Sequence, residues 1–244
     1  LMTKDKRLRA MLLEGRWDVI EGSFFGEWDP GVHVVQPFEI PKNWRRFVAM
    51  DWGTWSPYCV LWAAESPYGE VYIYRELYGM GEKPNQGVNE PPSVVSDKIL
   101  RIERMSEEYV HERYLDDSCW KGEKAGEVTI ASQFATAGVP FQPARRFNKV
   151  SAINNLKEWL KVVNGKSRLS VFNGCRNLIR TLPILQIDRN NPDQYDTKAE
   201  DHAVDSLLYL MRRYMHDDGR KFGGSSIEDL NKRKIGVYSG MGVW

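Results

Sequence analysis

Apolar and polar residues follow two different periods along this chain, and the change falls near residue 92. From Arg46 the pattern is strand-like: residues 47–51, 58–64 and 71–78 are short apolar runs rich in β-branched and aromatic side chains, parted by Ser-Pro and Pro-Tyr-Gly-Glu turns. Connections that short predict an antiparallel meander. A polar, Gly- and Pro-containing loop over residues 79–92 follows, and then Val95, Ile99 and Ile102 recur at helical spacing, predicting a helix from Pro92 to Met105. Beyond it the two patterns alternate: strands over 109–115, 139–142 and 169–172, and helices over 128–136, 154–163 and 175–182, the last closed by Pro183. Alternation of this kind implies parallel β-α-β units joined to the meander, hence an α/β mixed sheet flanked by helices.

The remaining segments read less regularly. Residues 3–14 carry Leu8, Met11 and Leu12 on one helical face before Gly15, residues 17–28 mix Gly, Phe and Trp without a period, and Pro37 and Pro41 bracket a connector. Residues 185–196 form a polar hairpin or loop with Asn190-Asn191-Pro192-Asp193 at its tip, and residues 198–211 are strongly helical. After Asp217 the chain is rich in Gly, Ser and Lys and reads as a poorly ordered tail. The expected organisation is a lead-in over 1–45, one domain over 46–216 and a tail over 217–244, without an internal repeat.

Composition narrows the choice of class. At 244 residues the chain buries one sizeable core, and 42% apolar with 27% charged residues is ordinary for a soluble globular protein. A net charge of +1 supplies no global basic field, so any contact with nucleic acid has to come from local patches. Cys59, Cys119 and Cys175 are scattered and form no Cys-x-x-Cys pair, which argues against a disulfide framework or a zinc site and for a reducing compartment. No apolar run reaches the roughly 18 residues of a membrane helix. The opening Leu1-Met2-Thr3-Lys4 reads as the middle of a longer chain.

Acidic residues carry the candidate chemistry. Asp51 stands where an apolar strand gives way to Trp52 and Gly53, a costly place for a carboxylate unless a cation meets it, although a turn cap is the simpler reading. Asp116 and Asp117 end a later strand. Asp201 and Asp205 are four residues apart, and His202 and Asp205 three, so a helix puts them on one side, where like charges repel by a few tenths of a kcal/mol unless a cation intervenes. Asp201 suits a helix start, whereas Asp205 sits one turn inside, beside Ala203, Val204 and Leu207. Hard oxygen donors without thiolates suit Mg²⁺ or Mn²⁺. Two such ions about 4 Å apart activate a water and stabilise the leaving oxygen of a phosphodiester, so the constellation is nuclease-like.

The motifs FVAMDWG at 47–53, YLDDSCW at 114–120 and EDHAVDSLLYLM at 200–211 resemble the nuclease domain of the large terminase subunit of tailed bacteriophages, a ribonuclease H-like fold. The resemblance spans about residues 10–215, and the last motif is its most specific part. It implies a metal-dependent endonuclease that cuts concatemeric double-stranded viral DNA during genome packaging, with Asp51, Asp116 and Asp205 as metal-binding catalytic carboxylates and Asp201 and His202 at or beside two Mg²⁺ or Mn²⁺ ions. Asp117 stands where relatives often have proline, which leaves Asp116 and Asp117 open as the ligand; spacing to Ser118 and Trp120 and strand alternation favour Asp116. Arg145, Arg146 and Lys149, around Phe147 and Asn148, resemble a basic stretch of the family and are candidates for DNA phosphate contacts, with Lys121 and Lys124 second.

The resemblance further implies an ATPase domain in the same full-length chain, a terminase small subunit and a portal protein as partners, and the host cell cytoplasm as location. No Gly-x-x-x-x-Gly-Lys-[Ser/Thr] loop occurs here, so the motor is absent from these residues. A junction resolvase or transposase-like nuclease of the same fold, or a non-catalytic DNA-binding or motor-docking module, are the alternatives.

Overall fold

The computed structural model describes residues 22–122, 127–144 and 148–215. The expected helix over 3–14, the tail over 217–244, and Lys124, Arg145 and Arg146 lie outside the described residues. Within them a seven-stranded mixed sheet is flanked by six α-helices. In chain order these are α1 (Pro30–His33), β1 (Val34–Val35), β2 (Arg45–Asp51), β3 (Tyr58–Glu65), β4 (Val71–Gly79), α2 (Pro92–Met105) and β5 (Glu112–Leu115). Then follow α3 (Ile130–Thr136), β6 (Gln142–Pro143), α4 (Lys149–Leu160), β7 (Leu169–Phe172), α5 (Arg176–Thr181) and α6 (His202–Met211). This is the expected α/β architecture, an antiparallel meander joined to parallel strands and flanked by helices.

The spatial order is β1-β7-β4-β3-β2-β5-β6. β2, β3 and β4 form the expected meander, while β5 runs parallel to β2, β6 to β5, and β7 to both β4 and β1. Alternate residues of β2 feed two cores. Phe47 and Ala49 pack with Leu61, Ile73 and Val171 under α4, α5 and α6, and Val48 and Met50 pack with Val60 and Trp62 under α2 and α3. Because both faces are covered, the central strands are apolar throughout instead of alternating. No helix among the described residues is long and apolar enough to cross a membrane.

Several boundaries differ from expectation, each for a local reason. Residues 24–35 are integral to the domain: Phe24, Phe25 and Trp28 are buried in the main core, and β1 adds a short parallel edge strand beside β7. Pairing with β2 begins at Phe47↔Glu112, so β5 is shorter than the 109–115 run, and Tyr109 is exposed. Only Gln142 and Pro143 pair with β5, whereas Val139, expected in that strand, is a core side chain. The helix expected from 154 starts at Lys149, because the Asn148 side chain accepts the Val150 N–H at 2.8 Å and caps it. Thr129 caps α3 in the same way, so that helix starts at Ile130. α6 starts at His202, not 198, because the preceding residues are turned around Asp196, whose carboxylate accepts Lys198 N–H at 2.9 Å. Pro183 sits inside a 3₁₀ turn, Leu182–Ile184, that continues α5. The 185–196 segment is a narrow hairpin with a single bridge, Ile187↔Tyr195.

Candidate active site

Register places the first two acids. β2 and β5 run parallel with Met50 opposite Leu115, so the next residues, Asp51 as the last of β2 and Asp116 just past β5, stand at the same end of the sheet. α6 crosses β2 above that end, held by a hydrogen bond from Ser206 Oγ to the Ala49 carbonyl at 3.0 Å. His202, Asp205 and Tyr209 lie at i, i+3 and i+7 along α6 and therefore face the strand ends together. His202 Nδ1 donates to Asp51 Oδ2 at 3.1 Å, and Tyr209 is hydrogen-bonded to Asp116.

Side chains from more distant segments complete the cluster. Asp205 Oδ1 accepts from the Tyr195 hydroxyl of the hairpin and lies 3.2 Å from Lys149 Nζ at the start of α4; that ammonium also sits 4.4 Å above the Tyr195 ring. Asp116 Oδ1 accepts the Ser118 N–H at 2.7 Å. The other nitrogen of His202, Nε2, is 2.8 Å from Asn85 Oδ1, on the loop between β4 and α2. Asp201 is buried immediately before α6 and makes no capping bond with its side chain.

The electrostatics are those of acids short of positive charge. Burial, with the Asp205 and Asp116 charges, pushes the Asp51 carboxyl up to about 6 against the opposing pull of His202. Burial and Asp205 push Asp201 to about 7, only partly countered by His202 and Lys149. For His202, burial works against the charged ring, but the hydrogen bond to Asp51 and the negative charges of Asp51, Asp201 and Asp205 outweigh it and raise its pKa. Asp116 goes the other way: burial opposes ionisation, yet bonds from Ser118 and Tyr209 and the nearby Arg212 hold it below the usual carboxylate range. Of the two adjacent candidates, Asp116 is the one whose charge bears on Asp51.

Sequence reasoning gathers Asp51, Asp116, Asp201, His202 and Asp205, and the structure places all five in this cluster. Lys149, expected at a DNA phosphate, lies against Asp205; Lys121 is exposed just beyond the 3₁₀ turn that follows Asp116. Tyr195, Asn85 and Ser206 escape it. Tyr209 carries a usable signal, being four residues after Asp205 on the same helix, whereas nothing local marks Tyr195 or Asn85.

Among the described residues, no three or more His, Cys, Asp and Glu side chains stand in a metal-coordinating arrangement. Instead His202 holds Asp51, Tyr195 and Lys149 hold Asp205, and Ser118 holds Asp116. The donor chemistry still fits a hard divalent cation, because the acids are oxygen donors and two of them have pKa values raised by burial and like-charge neighbours.

Fold and cluster together define a mixed-sheet α/β domain with carboxylates gathered at one end of its central parallel pair. No protein-family model and no curated protein matches the chain. Solved structures do. The large terminase from a thermophilic bacteriophage is similar with a TM-score of 0.63 at 18% identity, over 82% of this chain and 46% of that one. The P22 large terminase nuclease domain is similar with a TM-score of 0.60 at 18% identity, over 82% of this chain and 95% of that one. The large terminase nuclease from another thermophilic phage, G20c, crystallised with bound cobalt, gives a TM-score of 0.51 at 15% identity, over 79% and 97%. The chain thus matches less than half of the first of these proteins and nearly all of the two nuclease domains, and what it shares with them at these identities is the fold.

Proposed function

We propose that this chain is a metal-dependent endodeoxyribonuclease, the nuclease part of a phage large terminase that cuts concatemeric double-stranded DNA into genome units. The observation that carries the reading is the meeting of Asp51, Asp116 and Asp205, from β2, the end of β5 and α6, at one sheet end of a terminase-nuclease fold. Asp51, Asp116 and Asp205 would hold Mg²⁺ or Mn²⁺, two ions in the full arrangement, with Asp201 and His202 beside them. Bound there, such ions supply an activated water and charge neutralisation at the phosphodiester. The cobalt-bound G20c nuclease is consistent with a divalent ion in this fold.

The chain's own residues do the positioning. His202 orients Asp51 through Nδ1, Tyr195 and Lys149 fix Asp205, and the Ser206 bond to the Ala49 carbonyl sets the height of α6 over the strand ends. Arg145, Arg146, Lys121 and Lys124 supply phosphate contacts that set DNA orientation without reading bases, whereas Lys149 is taken up by Asp205. Packaging adds the ATPase part of the full-length chain, the small subunit and the portal protein, in the cytoplasm of the host cell.

Incubating the purified protein with plasmid DNA and Mn²⁺ or Mg²⁺ tests this reading. The wild type nicks and linearises the plasmid, and Asp51→Ala reduces cutting by at least about 10³-fold, the scale on which catalytic groups act. Undiminished cutting by that variant would remove Asp51, and with it the site, from the mechanism.

A further inference from the structure

Seven of the nine tryptophans lie within the described residues, and six of those are buried or half-buried; Trp55 is 81% exposed. It stands four residues after Asp51, on the turn between β2 and β3. An isolated exposed aromatic on a floppy loop would mean little. This turn is instead stapled down. Gly87 N–H donates to the Trp55 carbonyl at 2.7 Å and Asn89 N–H to the Thr54 carbonyl at 3.2 Å. The approach is so close that a Cβ on Gly87 would fall 2.4 Å from the Ser56 carbonyl oxygen and 2.5 Å from that of Thr54. The segment that clamps the Trp55 backbone also carries Asn85, which meets His202, which holds Asp51. Trp55 is therefore tied to the acid cluster twice, through four residues of chain and through the 85–89 segment. Neighbouring Trp52 is engaged elsewhere, stacked on Tyr58 and edge-on to Phe134.

Resting on the nuclease reading above, we infer that Trp55 is a binding residue for DNA with an exposed base face, its indole stacking on an unpaired, nicked or extruded nucleobase beside the phosphate being cut. A side chain can stack only where a base face is uncovered, since in intact duplex both faces are occupied by neighbouring pairs. The clamped backbone fixes where the indole is rooted, four residues from Asp51, and leaves its faces open to solvent. Stacking is tolerant of base identity, which suits a cutter without a recognition helix.

The experiment measures binding of the full 244-residue chain, with Ca²⁺ as the divalent ion, to two labelled duplexes that differ only in a single unpaired base next to a nick. Fluorescence anisotropy gives both affinities. For the nicked DNA, Trp55→Ala weakens binding about ten-fold or more and Trp55→Phe keeps most of the affinity, while the intact duplex is bound nearly as by wild type. Wild-type affinity of Trp55→Ala for both DNAs overturns the inference, as does an equal loss on both. If the wild type binds neither DNA, the nuclease reading falls and this inference with it. Because the side chain is exposed, thermal unfolding of Trp55→Ala at the wild-type temperature checks that any loss is one of contact.

Discussion

Glu200 and Asp201 are neighbours in the chain and both are buried, yet their carboxyls live in opposite surroundings. Burial penalises Glu200, but Arg180 reaches it with two nitrogens at 2.5 and 2.8 Å and the Tyr78 hydroxyl at 2.8 Å, so its pKa ends below the ordinary value. For Asp201, burial and Asp205 win, and the carboxyl titrates near 7. The same contrast separates the two ends of β2. At its entry, Arg45 and Arg213 converge on Glu112 at 3.0 and 2.6 Å, and opposite its middle residue, Val48, Arg113 meets Glu103 at 2.5 Å. At its exit, Asp51, Asp116, Asp201 and Asp205 share mainly His202, Lys149 and Arg212. Acids that serve the fold arrive with their cations, and a cluster left short of positive charge is a place for a cation from outside.

Removing the cation on the structural side has the largest expected effect. Arg180→Met leaves Glu200 buried without its guanidinium and costs about 3–5 kcal/mol of unfolding free energy, the usual penalty for orphaning one member of a buried pair. Adding Glu200→Gln to that variant recovers a large part of the loss. A denaturant titration reads both, and a loss below about 1 kcal/mol for the single variant would mean that Glu200 is no better paired than Asp201.

The next effect is a pH dependence with opposite signs for the two acids. Glu200, with its pKa lowered, contributes stability above its unfolded value of 4.5 that is lost on acidification through its folded pKa. Asp51 and Asp201, raised from 3.8 to about 6 and about 7, bind more protons folded than unfolded across that interval, so metal-free stability falls as pH rises from about 4 to 7. His202, raised from 6.5, adds to the same trend, because its contribution is complete below 6.5 and disappears as pH climbs through the folded value. In EDTA the protein is therefore more stable at about pH 5 than at about pH 8, by a few kcal/mol, and Mg²⁺ or Mn²⁺ at the higher pH restores much of the difference. Equal melting temperatures at the two pH values, or no response to either ion, would contradict the picture of crowded acids waiting for a cation.

How much of this was visible in the sequence follows the range of the interactions. The meander and α2 were legible because each is a long apolar run with its own turn signals, and three strands joined by short turns leave few other arrangements. α4 was misplaced at its start because a single cap, Asn148, outweighs the apolar period that begins later. β1 and β6 are two residues each and exist only through their neighbours β7 and β5, so no local pattern announces them. In the site, Asp51, Asp116 and Asp205 were legible as acids at strand ends and on an apolar helix. Tyr195, Asn85 and the Lys149 contact to Asp205 were not. Asn85 and Lys149 meet their partners only because a loop and a helix start fold back onto α6 from far along the chain, and Tyr195 meets Asp205 around a turn.

Asp201→Asn is the smallest and sharpest intervention, because it removes charge while keeping size. On the structural side of the comparison, neutralising a paired acid destabilises. At Asp201 the order reverses: the charge repelled by Asp205 disappears, and metal-free stability at about pH 8 rises by about 1–2 kcal/mol, while at about pH 5, where the wild-type carboxyl is already largely protonated, the variant and wild type differ little. The His202 ring loses one of the negative charges that raise its pKa, so the variant's stability also depends less on pH. The gain has to vanish when Mg²⁺ or Mn²⁺ is present, since the bound ion removes the repulsion that the mutation relieves. A variant less stable than wild type at the higher pH without metal would place Asp201 with Glu200, as an acid that holds the fold together.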